Sequence, residues 1–253
     1  MEYSEWVDTQ TRKRIARETQ RANFMTYILK HNGGNEEGTL LMKEMVANAQ
    51  LFLAAGLEKT ATMLSATTFQ LLRNPQVMQR LKDKVRGRWK SYSDITLEKV
   101  DKAPYLIAVL SKGLRYFPPV PAGFERRVGR KGGEIVSGVY LPENTSVSVS
   151  QYPAHHSPRN FNDPKAFVPE RWMGDPKYAS DNRASYQPFS YGLRNCIGTN
   201  LAYAEMRLIM AKMMWSFDLE SDPSSAKWMV ECEVKVLWVK PEMKVWVKEV
   251  VRS

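Results

Sequence analysis

A chain of 253 residues with 43% hydrophobic and 11% aromatic residues has enough material for one or two domains with a sizeable core. Its formal net charge of +10 is spread along the chain and forms no basic run interleaved with aromatics, which argues against a nucleic-acid binder and leaves a basic docking face for an acidic partner or a generally basic surface. Two cysteines exclude a disulfide scaffold and fit a reducing compartment, no stretch reaches about 18 apolar residues as a membrane span requires, and the polar, acidic start Met-Glu-Tyr-Ser-Glu-Trp is no signal peptide, so a cytoplasmic chain is expected.

In chain order, periodic apolar residues among many arginines predict a surface helix over residues 3–30, broken by His31-Asn32-Gly33-Gly34-Asn35 with His31 in a turn. Glu36 to Glu44 opens the next helix, and Met45 to Leu72 is apolar on most faces, so that helix is expected to be largely buried. Asn74-Pro75 ends it, and Gln76 to Tyr92 reads as an amphipathic helix with a basic face. A short helix starts at Thr96-Leu97-Glu98-Lys99, and a longer one runs from Pro104 to Tyr116, stopped by Pro118-Pro119. From Glu125 to Gln151, Gly129, Gly132, Gly133 and Gly138 punctuate runs such as Val147-Ser148-Val149-Ser150, the pattern of a small sheet of hairpins. Phe161 to Gln187, rich in Pro, Asp, Asn and Arg, is a long ordered loop. A helix over 200–217 follows, and the tail alternates as two strands, 235–239 and 244–248. Cys232, in the alternation Glu231-Cys232-Glu233-Val234, reads as structural. The fold class is mainly α with a minor β-sheet.

The segment Phe189-Ser190-Tyr191-Gly192-Leu193-Arg194-Asn195-Cys196-Ile197-Gly198 runs directly into the helix of 200–217. A thiol binds metal as thiolate, the form favoured beside a helix N-terminus and a cation, and Cys196 has the helix start on one side and Arg194 on the other. Gly192 and Gly198 permit positive φ or close approach of a planar ligand to the main chain. One cysteine without a neighbouring C-x-x-C cannot close a four-ligand zinc site, whereas a single thiolate suits heme, whose macrocycle supplies the in-plane donors. The five fixed positions of F-x-x-G-x-R-x-C-x-G arise by chance in a chain this long about once in 10⁴. His155-His156 is a weaker metal signal, since adjacent side chains diverge and no third ligand is near.

This decapeptide resembles the heme-binding signature of the cytochrome P-450 family, and other segments agree in the family's order. Ala55-Gly56-Leu57-Glu58 resembles the oxygen-side helix motif, and Leu71-Leu72-Arg73-Asn74-Pro75 the end of that helix. Tyr105 to Leu110 with Leu114-Arg115-Tyr116-Phe117-Pro118-Pro119 resembles the helix of the E-x-x-R pair, and Phe167-Val168-Pro169-Glu170-Arg171-Trp172 the P-E-R segment. The likeness is closest to filamentous-fungal members, and residues 1–253 resemble the C-terminal half of the domain, from oxygen-side helix through heme-binding loop to the last strands, without the N-terminal half or its membrane anchor. It implies a heme-thiolate monooxygenase carrying heme b (iron protoporphyrin IX), oxidising a small lipophilic substrate of secondary metabolism with O2 and electrons from an NADPH-cytochrome reductase; full-length relatives are anchored in the endoplasmic-reticulum membrane. By the resemblance Cys196 is the metal ligand, Arg194 pairs with a heme propionate, Phe189 packs by the sulfur, Gly192 and Gly198 shape the loop, and Glu58 joins the proton path. One of His155 and His156, or Arg126 or Arg127, is a further candidate for a propionate.

Two lysines depart from the family's pattern. Lys59 stands where a hydroxyl that steers protons to dioxygen is expected, and Thr60 is displaced about 100° round the helix. Lys112 stands where the E-x-x-R carboxylate is expected, so that Lys112, Arg115 and Arg171 become a triad of cations. Like charges about 4 Å apart repel by roughly 4 kcal/mol at an effective dielectric of 20, and a buried charge without its partner costs about 3–5 kcal/mol. Truncation together with these two lysines adds to the monooxygenase the readings of impaired activity, a non-catalytic remnant, or a heme-binding or interaction protein.

Overall fold

The computed structural model describes residues 3–17, 23–31 and 40–251. They form two compact units, residues 1–58 and 59–253. In the first unit the single helix expected over 3–30 is two helices, α1 (Tyr3–Ala16) and α2 (Phe24–His31). Asn23 accounts for the second start, because its side chain accepts the Thr26 N–H at 3.0 Å as a cap does. His31 is the last residue of α2, not a turn residue, while residues 32–35 lie outside the described chain, as do 36–39 of the expected next helix. That helix, α3 (Met42–Arg73), starts where the Glu44 carboxylate accepts the Leu41 N–H at 2.7 Å. Its residues to Glu58 belong to the first unit and those from Lys59 to the second.

The expected burial of α3 holds for Met45 near its start and for its C-terminal turns, and not for the stretch between them. Thr62, Met63 and Ala66 to Leu71 are buried, whereas Leu51, Phe52 and Leu57 are 62%, 43% and 67% exposed. Apolar periodicity identifies a helix; it does not supply a cover for every face.

The second unit is built on helix against helix. Pro75 and Pro104 occupy the first positions of α4 (Pro75–Arg88) and α6 (Pro104–Tyr116), where a missing N–H costs nothing. Between them lie a turn at Tyr92–Asp94, which absorbs the end of the helix expected to reach Tyr92, and α5 (Leu97–Val100) behind Thr96. α8 (Thr199–Ser216) buries Met206, Met210, Ala211 and Met214 on one face. Leu81 and Val85 of α4 and Leu106, Val109 and Leu110 of α6 join them in one core. Each such side chain contributes about 1.5–3 kcal/mol of burial. Gly113 lets α6 approach α3 closely: a Cβ there would lie 2.1 Å from Thr67 Oγ1 and 3.2 Å from its Cβ, so the helix-weakening glycine has a packing reason.

The strands are pairs, not one sheet. β1 (Arg126–Arg127) pairs with β4 (Ser146–Val147), enclosing the hairpin of β2 (Glu134–Val136) and β3 (Val139–Leu141). Ser137 and Gly138 turn that hairpin with φ of 50° and 81°. Gln151 opens α7 (Gln151–His156), and three tight turns at Pro169–Met173, Pro176–Tyr178 and Arg183–Ser185 order the loop of 161–187.

The tail differs from expectation. β5 (Phe217–Ser221), whose Phe217 is the expected helix end, pairs antiparallel with β8 (Val245–Glu249), while β6 (Glu233–Val234) pairs with β7 (Trp238–Val239). Asp218 locks β5 down by accepting from Lys82 at 2.8 Å and Arg86 at 3.0 Å. α9 (Trp228–Glu231) precedes β6, so Cys232 caps a helix instead of alternating in a strand; its thiol donates to Trp228 O at 3.2 Å, and burial pushes it up to about 11. Trp228 and Trp238 close a second core on Phe117, the Phe117 and Trp238 rings being 4.0 Å apart. Among the described residues no helix is long and apolar enough to cross a membrane.

Candidate functional site

The cysteine loop is set by backbone conformation and two anchors. Ser190 and Gly192 take φ of 65° and 78°, bending the chain into the short turn Gly192–Arg194. Glycine is required at 192 for that reason. The Cys196 N–H donates to Phe189 O at 2.9 Å, closing the loop across its neck. The Thr199 hydroxyl donates to Cys196 O at 2.7 Å, tying the loop to the first turn of α8, which Gly198 begins. The Phe189 ring packs on Tyr203 of α8 at 4.9 Å between centroids. Gly198 has ordinary φ of −85°, and a Cβ there would lie 3.8 Å from Cys196 Sγ, so protein packing alone does not demand glycine at this position.

The loop presents its contents outward. Cys196 is a free, exposed thiol. Tyr191, Leu193 and Ile197 around it are 82%, 104% and 90% exposed, an apolar rim with Arg194 in its midst. Among the described residues no three or more His, Cys, Asp or Glu cluster as a metal site. A metal on Cys196 therefore has one protein donor and must bring its own remaining ligands. A free, exposed cysteine sulfur, an apolar exposed rim and a nearby cation fit heme.

The structure also places the departing lysines. Glu58 is exposed and Lys59 and Thr60 are half-buried, all within α3. A Cβ at Gly56 would meet nothing within 4 Å. Lys112, Arg115 and Arg171 are each at 0% exposure. Their balance differs from three bare cations. Arg171 pairs with Asp181, whose side chain is equally buried, and Arg171 Nη2 donates to Asn162 O at 2.6 Å. Arg115 donates to the carbonyls of His155 and Pro164. Lys112 Nζ has no hydrogen-bond partner and lies over the rings of Tyr116 at 4.8 Å and Phe167 at 5.6 Å. Burial, then Arg115 and Arg171, holds the Lys112 amine well below its ordinary range. Burial and Arg171 lower Arg115 to about 10. Asp181, within a loop read as Pro/Asp/Asn-rich, carried no sequence signal marking it as the partner of a residue ten positions away.

The histidines do not turn outward. His155 is fully buried against Tyr186, ring centroids 5.6 Å apart, and His156 stacks on Tyr152 at 4.2 Å while its Nδ1 bonds Tyr152 O at 2.9 Å. Both are thus committed to packing, whereas Arg126 and Arg127 of β1 are exposed. Burial first, and Arg115 among other charges, lowers both histidines from 6.5 to about 4. The folded state therefore binds fewer protons than the unfolded one between about pH 6.5 and 4, and stability falls as pH drops through that window. For the fully buried His155 the displacement from 6.5 to about 4 corresponds to about 3 kcal/mol. Urea unfolding of the wild type across this range should show the loss, and His155→Phe should flatten it; parallel curves would refute the assignment.

A family model described as Cytochrome P-450 matches residues 4–247. A cytochrome P-450 monooxygenase, traB, of Penicillium crustosum is 55% identical over 98% of this chain and 48% of its own. The monooxygenase aclL of Aspergillus oryzae is 43% identical over 94% and 48%, and an averantin hydroxylase of Dothistroma septosporum 40% identical over 99% and 47%. The fold also matches a crystal structure of a cytochrome P-450 heme domain with TM-score 0.82 at 23% identity, covering 98% of this chain and 53% of that one. The chain spans about half the length of the curated relatives it matches.

Proposed function

This chain belongs to the cytochrome P-450 family, and from that premise we propose that it holds heme through Cys196 and serves a monooxygenase reaction on a small lipophilic substrate of fungal secondary metabolism. The observation that carries the reading is the exposed Cys196 thiol, fixed by its 2.9 Å backbone bond at the start of α8 inside an apolar rim. Heme, the family's cofactor, supplies the activation of O2 when bound. The chain's own residues do the rest. Cys196 would hold the heme iron through its sulfur, and Arg194 would neutralise a propionate. Gly192 keeps the turn, and Phe189 pins the loop to α8 through Tyr203. Glu58 is the carboxylate of the proton path. An NADPH-cytochrome reductase is the proposed electron source, docking on the basic surface of a chain whose net charge is +10.

Lys59 and Lys112 favour a second reading, a heme-binding protein with little turnover. Lys59 brings three protons on a long stem to the position where a short hydroxyl is expected. With reductase, NADPH and a lipophilic probe substrate, Lys59→Thr should raise product formed per NADPH, by up to about 100-fold, the lower end of proton-transfer effects. Equal coupling in both proteins would remove Lys59 as the impediment.

A further inference from the structure

The cluster around Lys112 is short of acceptors. Arg115 and Arg171 share one wall, both lying over the Phe161 ring at 4.8 and 5.7 Å. Lys112 reaches toward them from the next turn of α6, between Tyr116 and Phe167. Asp181 is the one carboxylate among the charged groups that act on Lys112, and it is occupied by Arg171 and by the Asn162 N–H at 2.8 Å. Glu170, adjacent to Arg171 in sequence, is turned away to Arg80 at 2.5 Å and Tyr105 at 3.3 Å. Lys112 Nζ, Arg115 Nε, Arg171 Nε and Trp172 Nε1 remain buried without a hydrogen-bond partner. All four are donors, and against them the neutral His155 ring, whose nitrogens are also buried without a partner, offers a single acceptor, so donors outnumber acceptors. Two guanidiniums and an amine against one carboxylate make a negative acceptor better than a neutral one.

We propose that this cluster is an anion-binding site, in which a monovalent ion of chloride size takes the place of the carboxylate that Lys112 replaces. The aromatic walls of Tyr116, Phe161 and Phe167 favour a compact, weakly hydrated halide over phosphate or sulfate. The ion balances the arginines and favours the charged amine, so binding holds α6 to the turn that carries Arg171. The site belongs to the polypeptide and does not depend on heme.

Urea unfolding of the full chain in sodium chloride against sodium gluconate, at constant ionic strength, tests it. The folded-to-unfolded ratio should rise with chloride, approaching tenfold for each tenfold increase once the site saturates. Bromide should act likewise. Lys112→Met and Lys112→Gln should both lose the dependence, and the chloride NMR line should broaden with wild type more than with either variant. Equal stability in chloride and gluconate overturns the proposal and leaves buried water as the partner. A chloride effect that persists undiminished in both variants also overturns it, because the ion then sits elsewhere.

Discussion

Asp181→Asn destabilises the second unit by about 3–5 kcal/mol, the cost of leaving a buried charge unpaired. Asparagine keeps the shape of Asp181 and removes its charge, so the loss isolates the electrostatic role. Asp181 and Arg171 are both at 0% side-chain exposure, and solvent cannot take over for either partner. Without the carboxylate, Arg171 faces Arg115 and Lys112 with only the carbonyls of Asn162 and Asp163 and the Tyr178 ring, 4.0 Å from its guanidinium, to offset it. The other Asp181 oxygen accepts the Asn162 N–H at 2.8 Å, a bond that the asparagine carbonyl can keep, so the loss reports the ion pair. The urea midpoint, read with an unchanged dependence on denaturant, reports the effect. A loss below about 1 kcal/mol would mean that Arg171 is satisfied without its ion pair.

Lys112→Met should do the reverse and stabilise the chain by about 1–4 kcal/mol in chloride-free buffer. An unmade hydrogen bond on a buried donor costs about 1–3 kcal/mol, more for a group that must also lose its charge. Methionine fills nearly the same volume, and its thioether keeps favourable contact with the Tyr116 and Phe167 rings. Added chloride should shrink the gain, since it stabilises only the lysine form. Lys112→Glu should also stabilise, by setting a carboxylate against Arg115, and should improve heme retention if the cluster steadies the cysteine loop. A Lys112→Met variant less stable than wild type would show that the amine has an acceptor already, and that the surrounding charge is balanced without it.

Sequence reading reached furthest where local chemistry decides. Pro104 and Pro118-Pro119 bracket α6 because proline starts helices and stops them, and the run from Asn200 to Phe217 made α8 within a residue at each end. Gly192 was legible because a turn before a helix needs positive φ. What stayed hidden depends on residues distant in sequence. Phe217–Ser221 becomes a strand only because Val245–Glu249 returns to pair with it. Gly113 reads as a helix defect until Thr67 is brought against it. The three cations read as an unbalanced triad because Asp181 comes within reach of Arg171 only after the two short turns Pro169–Met173 and Pro176–Tyr178 fold the loop between them. Membership of a motif placed the Cys196 loop; the exposure of Leu193 and Ile197 beside the thiol could not be inferred from apolar residues that ordinarily belong to a core.

The most direct measurement is the absorption spectrum of the chain reconstituted with heme, reduced, and exposed to carbon monoxide. The expected result is the strongly red-shifted Soret band of a thiolate-ligated heme, absent in Cys196→Ala. A chain that takes up no heme, or a band that is unshifted or identical in Cys196→Ala, would contradict the assignment of that thiol as the metal's ligand.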